Sequence, residues 1–277
     1  MNHAPLCLFC LLTALSLLSC TPQTPQIVVP VVGKQMADYQ ASRENRIEQL
    51  KRDFPTLPQT ALDAFATIPR PLFVADLARH RAYEDQMLPI GSEQATLRLS
   101  DIAWLITTLK IQPSDTILEI GTGTGYMTAI LARTGKFVYT IELNEYLAEN
   151  AQTTLARLKV ENVRFRTHDG LEGWKNKAPF DVIIYTAAVQ PNAINEGDPP
   201  EKLLPPDIVS QLNPGGRIAI PLIESANKTP WKVYAYQPVP SDTQEALDDN
   251  ATSDSETTCH LVEIASRKAN IPHAIVP

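Results

Sequence analysis

Residues 117–129 read ILEIGTGTGYMTA: an apolar run, then three glycines two apart at Gly121, Gly123 and Gly125, then a helical pattern. An apolar run this short reads as a buried strand. Glycines at its end let the backbone turn through φ > 0 and keep side chains away from whatever lies there. A strand, a bare turn and a helix open a βαβ unit, which commits the chain to a parallel sheet. The following segments conform. Strand-like runs at 116–120, 136–141, 163–167, 181–185 and 216–221 alternate with helical patterns, one ending near Arg133, one from about Glu145 to Leu158, and one near 205–212 that stops at NPGG. The expectation is an α/β fold, a doubly wound, mostly parallel, Rossmann-like sheet covered on both faces.

Two regions flank this alternation. Upstream, helices are expected over 37–53 and 58–67, as an N-terminal helical extension. IPRPLFV then interrupts them, because Pro69 and Pro71 cannot sit inside a helix. AYEDQMLPIGSEQATLRL reads as irregular, and Ser100-Asp101 as the N-cap of a helix through Lys110. Downstream, KVYAYQPV (232–239) and CHLVEIASR (259–267) alternate without a helix between them, which predicts antiparallel strands at the sheet edge. Residues 241–256 join them with six acids and no base, the pattern of a flexible acidic insert.

Residues 1–35 form a leader ahead of an expected domain at 36–277. CLFCLLTALSLLSC (7–20) is too short for a membrane span and suits a signal-peptide core. LLSC followed by TPQTPQ resembles a bacterial lipoprotein signal, with Cys20 as the lipidated residue, but MNHAPL carries no Lys or Arg. The alternative is that the natural product begins at Met36.

The net charge of −7 argues against a nucleic-acid partner, which needs a basic face. Three of the four cysteines lie in the leader, leaving Cys259 alone in the body, so neither a disulfide framework nor a zinc site is expected, and no metal.

Three ligand classes use a strand–glycine-loop–helix unit. A P-loop ends in Gly-Lys-Ser/Thr, and Tyr126-Met127-Thr128 offers no lysine. A dinucleotide fingerprint needs a third glycine, and Tyr126-Met127 stand in its place. S-adenosylmethionine fits better: it is cationic, and acids gather at the expected strand ends. Glu119 precedes the first glycine. Glu142 lies 21 residues beyond Gly121, the distance of an acid that grips ribose hydroxyls. Asp169-Gly170 follows the third strand, within reach of an adenine amino group. The candidate cofactor residues are Glu119, Gly121, Thr122, Gly123, Gly125, Glu142, Asp169 and Gly170.

Taken in order, AFATIPRPLFV, LPIGSEQAT, ILEIGTGTGYMTAILA, HDGLEGW, APFDVIIYTAA and IVSQLNPGGRIAIPL resemble the protein-L-isoaspartate O-methyltransferases, from about Met36 to the C-terminus. The resemblance implies methyl transfer from S-adenosylmethionine to a carboxylate of isoaspartyl residues in aged proteins or peptides. The ester would decay through a succinimide, which repairs the site. A carboxylate nucleophile is already ionised at neutral pH (pKa about 3.9) and needs no general base. Family members carry a Thr-Ile-Ser-type stretch followed by proline. Counted without a gap from Gly91, those places hold Ala95, Thr96, Leu97 and Leu99. A slide of one residue recovers Thr96 for the threonine and puts Arg98 at the serine. Thr96 and Arg98 are therefore the candidate catalytic residues, as a hydroxyl donor and a carboxylate partner.

The rival readings lack their chemistry. Asp198-Pro199-Pro200-Glu201 has no aromatic platform for a flipped base and reads as a loop. His80 and His168 read as packing or loop residues, and Trp104 and Trp174 as core or rim. A methyltransferase fold kept as a binding module is the non-enzymatic alternative, and a methyltransferase with another small carboxylate acceptor the enzymatic one. Because S-adenosylmethionine is made in the cytosol, an intact cofactor site favours a cytoplasmic protein over one anchored through Cys20.

Overall fold

The computed structural model describes residues 33–191, 200–205, 207–224, 229–238, 259–268 and 275–276. The leader's signal pattern, Asp198-Pro199 and the acidic insert lie outside these residues. In chain order the elements are α1 (Gly33–Asp53), α2 (Gln59–Thr67), β1 (Pro89–Gly91), β2 (Gln94–Ala95), α3 (Leu99–Thr108), β3 (Thr116–Ile120), α4 (Tyr126–Thr134) and β4 (Phe137–Glu142). They continue with α5 (Glu145–Arg157), β5 (Val163–Thr167), β6 (Phe180–Tyr185), β7 (Ala188–Val189), β8 (Leu212–Pro221), β9 (Pro230–Pro238), β10 (Cys259–Lys268) and β11 (Ile275–Val276). No helix among the described residues is long and apolar enough to cross a membrane.

Seven strands form one sheet in the order β10-β9-β8-β6-β3-β4-β5. The five from β8 to β5 pair in parallel, and β9 and β10 add antiparallel at one edge, as the tail pattern predicts. The chain leaves β3 through β4 to β5, then returns to β6 on β3's other side. Strand order therefore reverses between β3 and β6, and an open sheet binds ligands at that point, outside its carboxyl ends.

Period-two alternation sorts the strand residues between two cores. Ile117, Val138, Val182 and Ile184 pack with the buried residues of the helices. Leu118, Ile120, Ile183 and Tyr185 pack on the other face with Leu204, Ile208 and Leu212. Both faces are covered, the second, among the described residues, by short turns rather than long helices.

The helix expected at 205–212 is absent, which corrects the sequence reading. Pro200–Leu203 and Val209–Gln211 are single 3-10 turns, and β8 already starts at Leu212. Asp207 is left-handed at φ 64°, which breaks a helical path. The Ser210 hydroxyl and the Gln211 amide both donate to the Asp207 carbonyl, satisfying it without a helical ladder. The start of α3 also differs. Arg98, not Ser100-Asp101, holds the N-cap position and gives no side-chain cap. Asp85 caps from outside instead, accepting the Ser100 N–H at 2.9 Å.

Upstream of the sheet, 3-10 segments at Arg70–Phe73 and Asp76–Arg81 and the β1–β2 hairpin lead into α3. Ser92 and Glu93 turn that hairpin with φ of 50° and 59°, the two left-handed residues a tight hairpin needs.

Candidate functional site

The glycine loop leaves β3 at the reversal point. Gly121 and Thr122 donate their N–H groups to the Ile141 carbonyl at 2.8 and 3.2 Å, which keeps the loop tied to the end of β4. All three glycines have positive φ: 102° at Gly121, 55° at Gly123 and 88° at Gly125. Each meets a different neighbour. A Cβ on Gly121 would fall 2.1 Å from Thr186 Oγ1, just beyond β6. A Cβ on Gly125 would fall 2.5 Å from Leu155 Cδ1, so that glycine lets α4 approach α5. Thr124 Oγ1 donates to the Phe73 carbonyl at 2.7 Å, which ties the loop to the upstream 3-10 segment.

Glu142 ends β4 and braces this loop. Its Oε2 accepts from Gly123 N at 2.8 Å and its Oε1 from Asn144 N at 2.9 Å. Burial raises its pKa above the ordinary carboxylate range, and the backbone donors partly offset that rise.

Glu119 sits below the loop and is fully buried. Its Oε2 accepts from the Thr128 and Thr140 hydroxyls at 2.6 and 2.7 Å. Thr140 spends its hydrogen on Glu119, so the Thr122 hydroxyl, 2.6 Å away, donates to Thr140. Among the described residues Glu119 Oε1 has no hydrogen-bond partner. Burial pushes the Glu119 pKa up to about 7 from an ordinary 4.5; the two hydroxyls pull it down and the Glu142 charge raises it. The folded protein therefore holds a proton that the unfolded chain releases between about pH 4.5 and 7. Stability from this group is fully present below pH 4.5 and declines as pH rises towards 7, by about 3 kcal/mol in all. Urea unfolding across that window is expected to show a steeper decline in the wild type than in Glu119→Gln. Parallel curves would remove Glu119 as the source.

The loop forms one wall of an open cleft enclosing about 1020 Å³ of space up to its mouth. Gly121, Thr122, Gly123 and Glu142 line it, and Gly170, His168, Thr186 and Ala187 lie on it from the ends of β5 and β6. The facing wall is Ile90 and Gln94–Leu97, with Ile102 from α3. The predicted cofactor residues thus converge, apart from three. Gly125 serves helix packing, and Glu119 lies behind the wall. Asp169 is not among the residues lining the cleft; its Oδ1 accepts the Leu171 N–H at 2.9 Å in a local turn. Gly170 beside it does line the cleft, and its Cβ position is closed by Ile120 Cγ2 at 2.2 Å.

The two candidate catalytic residues are placed differently from the expectation. Arg98 does not line the cleft. Its Nε and Nη2 pair with the two oxygens of Asp101, at 2.8 and 2.9 Å, because a fork three residues from a carboxylate closes on it at the start of a helix. Thr96 is on the wall, but its hydroxyl accepts from Arg70 Nη2 at 2.8 Å and from Leu88 N at 3.3 Å. Ala95 and Leu97 flank it, so this stretch presents much apolar surface.

His168 and Gln94 are wall residues that sequence reasoning missed. His168 had a signal, since it directly precedes Asp169 at a strand end. Trp104 and Trp174 pack partly buried against the two cores.

The model of the family described as protein-L-isoaspartate(D-aspartate) O-methyltransferase matches residues 41–244. Protein-L-isoaspartate O-methyltransferase 2 of Syntrophobacter fumaroxidans is 40% identical over 200 residues, 69% of this chain and 76% of the relative. Protein-L-isoaspartate O-methyltransferase 1 of an Anaeromyxobacter species is 42% identical over 162 residues, 58% and 71% of the two chains. A solved protein-L-isoaspartate O-methyltransferase superposes with a TM-score of 0.58 at 27% identity, covering 70% of this chain and 60% of that one. A Plasmodium falciparum structure in complex with S-adenosyl-L-homocysteine shares the fold, with a TM-score of 0.52 at 19% identity over 72% of this chain and 89% of that one. By its cleft, its ordered motifs and these likenesses, the chain belongs to the protein-L-isoaspartate(D-aspartate) O-methyltransferase family.

Proposed function

We propose that the cleft between the glycine loop and Gln94–Leu97 binds S-adenosylmethionine, and that the protein esterifies the free carboxylate of isoaspartyl residues in proteins or peptides. The observation that carries this reading is the junction of β3 and β6. There a glycine with no room for a Cβ, a bare loop and the Glu142 carboxylate face one cleft.

The residues present fit the cofactor. Gly123 keeps the loop free of a side chain opposite Ile90, where a nucleoside needs close approach, while Gly121 and Gly170 let the backbone pack against Thr186 and Ile120 at the cleft's edge. Each Glu142 oxygen already takes one backbone N–H and has a lone pair left for a sugar hydroxyl. When bound, S-adenosylmethionine supplies an electrophilic methyl group on a cationic sulfur. The chain's own residues then have to bind, align and exclude water. Ile90, Leu97 and Ile102 give the facing wall an apolar surface, which strengthens electrostatic attraction inside the cleft. An isoaspartyl carboxylate arrives ionised, so alignment rather than proton removal is the work, and such alignment is worth roughly 7–11 kcal/mol in favourable cases. The Gln94 amide is a neutral donor on the same wall, suited to orienting that carboxylate without the ground-state stabilisation a free cation would add.

Radiolabelled methyl transfer to an isoaspartyl peptide, run beside its aspartyl twin, tests the reading. Label on the isoaspartyl peptide alone is expected. Background label on both, with S-adenosylhomocysteine still bound in calorimetry, would leave a binding module in place of a repair enzyme. A cytosolic methyl donor also favours a cytoplasmic location. The intact mass of native material checks this, since a diacylated Cys20 would reverse it.

A further inference from the structure

The IPRPLFV stretch reads in sequence only as a helix breaker, yet it holds a buried side chain with five hydrogen-bond partners, two of them on the cleft wall. Arg70 is fully buried. Its guanidinium donates to the carbonyls of Ala82 at 2.8 Å, Glu84 at 3.3 Å, Gln86 at 3.4 Å and Leu97 at 2.8 Å, and to the Thr96 hydroxyl at 2.8 Å. It also lies over the Tyr126 ring, 5.4 Å from the centroid. Among the described residues no carboxylate pairs with it. Asp85, whose charge it feels, accepts the Ser100 N–H instead. The carbonyls, the π face and the nearby Asp85 charge together offset the desolvation of this buried cation.

The position of that fork matters. Thr96 and Leu97, two of its partners, form the wall facing the glycine loop, and Tyr126 is the first residue of α4 after that loop. Three residues after Arg70, Phe73 packs edge-on against the same Tyr126 ring at 5.4 Å and receives the Thr124 hydroxyl on its carbonyl. The Arg70–Phe73 turn therefore bridges the acceptor wall and the cofactor loop.

We propose that Arg70 is a positioning residue for methyl transfer: its buried fork, bonded to Thr96 and Leu97 and stacked on Tyr126, sets the Gln94–Leu97 wall at a fixed distance from the glycine loop. This rests on the isoaspartyl reading for the identity of the acceptor, while the geometric part stands on the contacts alone. Lysine keeps the charge but cannot span five oxygens in one plane. Methionine keeps much of the bulk and loses both.

The test uses the full chain as wild type, Arg70→Lys and Arg70→Met. Calorimetry gives the affinity for S-adenosylhomocysteine, then for an isoaspartyl peptide with S-adenosylhomocysteine saturating. Steady-state kinetics and amide hydrogen exchange complete the set. Arg70→Lys is expected to hold S-adenosylhomocysteine affinity and peptide KM within about threefold while kcat falls about 10- to 100-fold, the effect of misplacing rather than losing an acceptor. Arg70→Met is expected to weaken peptide binding about tenfold as well, because the wall then loses every bond that holds Thr96 and Leu97 to this side chain. Exchange at the Thr96 amide, which donates to the Leu88 carbonyl at 2.9 Å, is expected to rise in both variants.

Arg70→Lys with wild-type kcat overturns the positioning role, and so does a loss of cofactor affinity equal to the loss of peptide affinity. Should Arg70→Met fail to fold, Arg70→Lys still decides. A wild type that binds S-adenosylhomocysteine but neither binds nor methylates the peptide sinks the isoaspartyl reading instead. In that event unchanged Thr96 exchange in Arg70→Lys overturns the positioning role by itself, and faster exchange upholds it.

Discussion

Gly121→Ala is expected to lower stability by about 2–5 kcal/mol and to weaken S-adenosylhomocysteine binding at least 100-fold, the combined effect of a forbidden dihedral and an overpacked junction. The position has φ of 102°, which L side chains rarely adopt, and the new methyl would sit 2.1 Å from Thr186 Oγ1. That hydroxyl donates to the Gly121 carbonyl at 2.6 Å and approaches the Ile120 carbonyl at 3.1 Å, so it joins the ends of β3 and β6 where the cleft begins. Thr186 must swing away or the loop must move, and both change the cleft wall. Gly215→Ala is the control for backbone alone. Its φ is 81°, but none of the described residues lies within 4 Å of its Cβ position. Urea unfolding and calorimetry on both variants separate the two contributions. A Gly121→Ala protein no worse than Gly215→Ala would show the junction to be slack. Adding Thr186→Ala to Gly121→Ala is expected to recover part of the stability, since neighbours in contact couple.

The sheet was legible because its central strands are buried on both faces and so read as apolar runs, ILEI in β3 and FDVIIY in β6. The glycine loop was legible because only glycine supplies three positive dihedrals in five residues. The 205–212 segment misled because an apolar periodicity of eight residues does not reveal that Ser210 and Gln211 turn back on the Asp207 carbonyl. Arg98 misled for a similar reason: register counting placed it opposite a substrate, while a carboxylate three residues away on the same helix start took its fork. Arg70 was invisible as anything but a breaker's neighbour. Its partners lie 12 to 27 residues downstream, and four of them are main-chain carbonyls, which every residue carries. Side chains that act through distant backbone leave no local pattern. An acid at a strand end leaves one, because the fold fixes where such ends meet, but only Glu142 reaches the cleft: Asp169 turns onto the Leu171 N–H and Glu119 lies behind the wall.

Glu142→Ala is expected to weaken S-adenosylhomocysteine binding by about 1.5–3 kcal/mol, or roughly 10- to 150-fold, the scale of a lost charge-assisted hydrogen bond with its partner left unsatisfied. Two effects act together. The carboxylate no longer offers lone pairs to the cleft, and the N–H groups of Gly123 and Asn144 lose their acceptor. Glu142→Gln separates them, since an amide keeps one acceptor oxygen and replaces the other with a donor that faces a donor. If bracing the loop dominates, Glu142→Gln falls close to Glu142→Ala and exchange at the Gly123 amide accelerates in both. If direct contact with the ligand dominates, exchange at Gly123 rises only in the alanine variant. An independent consequence follows below the loop. The Glu142 charge is one cause of the raised Glu119 pKa, so its removal lets Glu119 ionise at lower pH. The stability decline that runs between about pH 4.5 and 7 in the wild type is therefore expected to become shallower and to end at lower pH in Glu142→Ala. An affinity within twofold of wild type and an unmoved decline would together take Glu142 out of the site, because no role at the loop's edge is compatible with both.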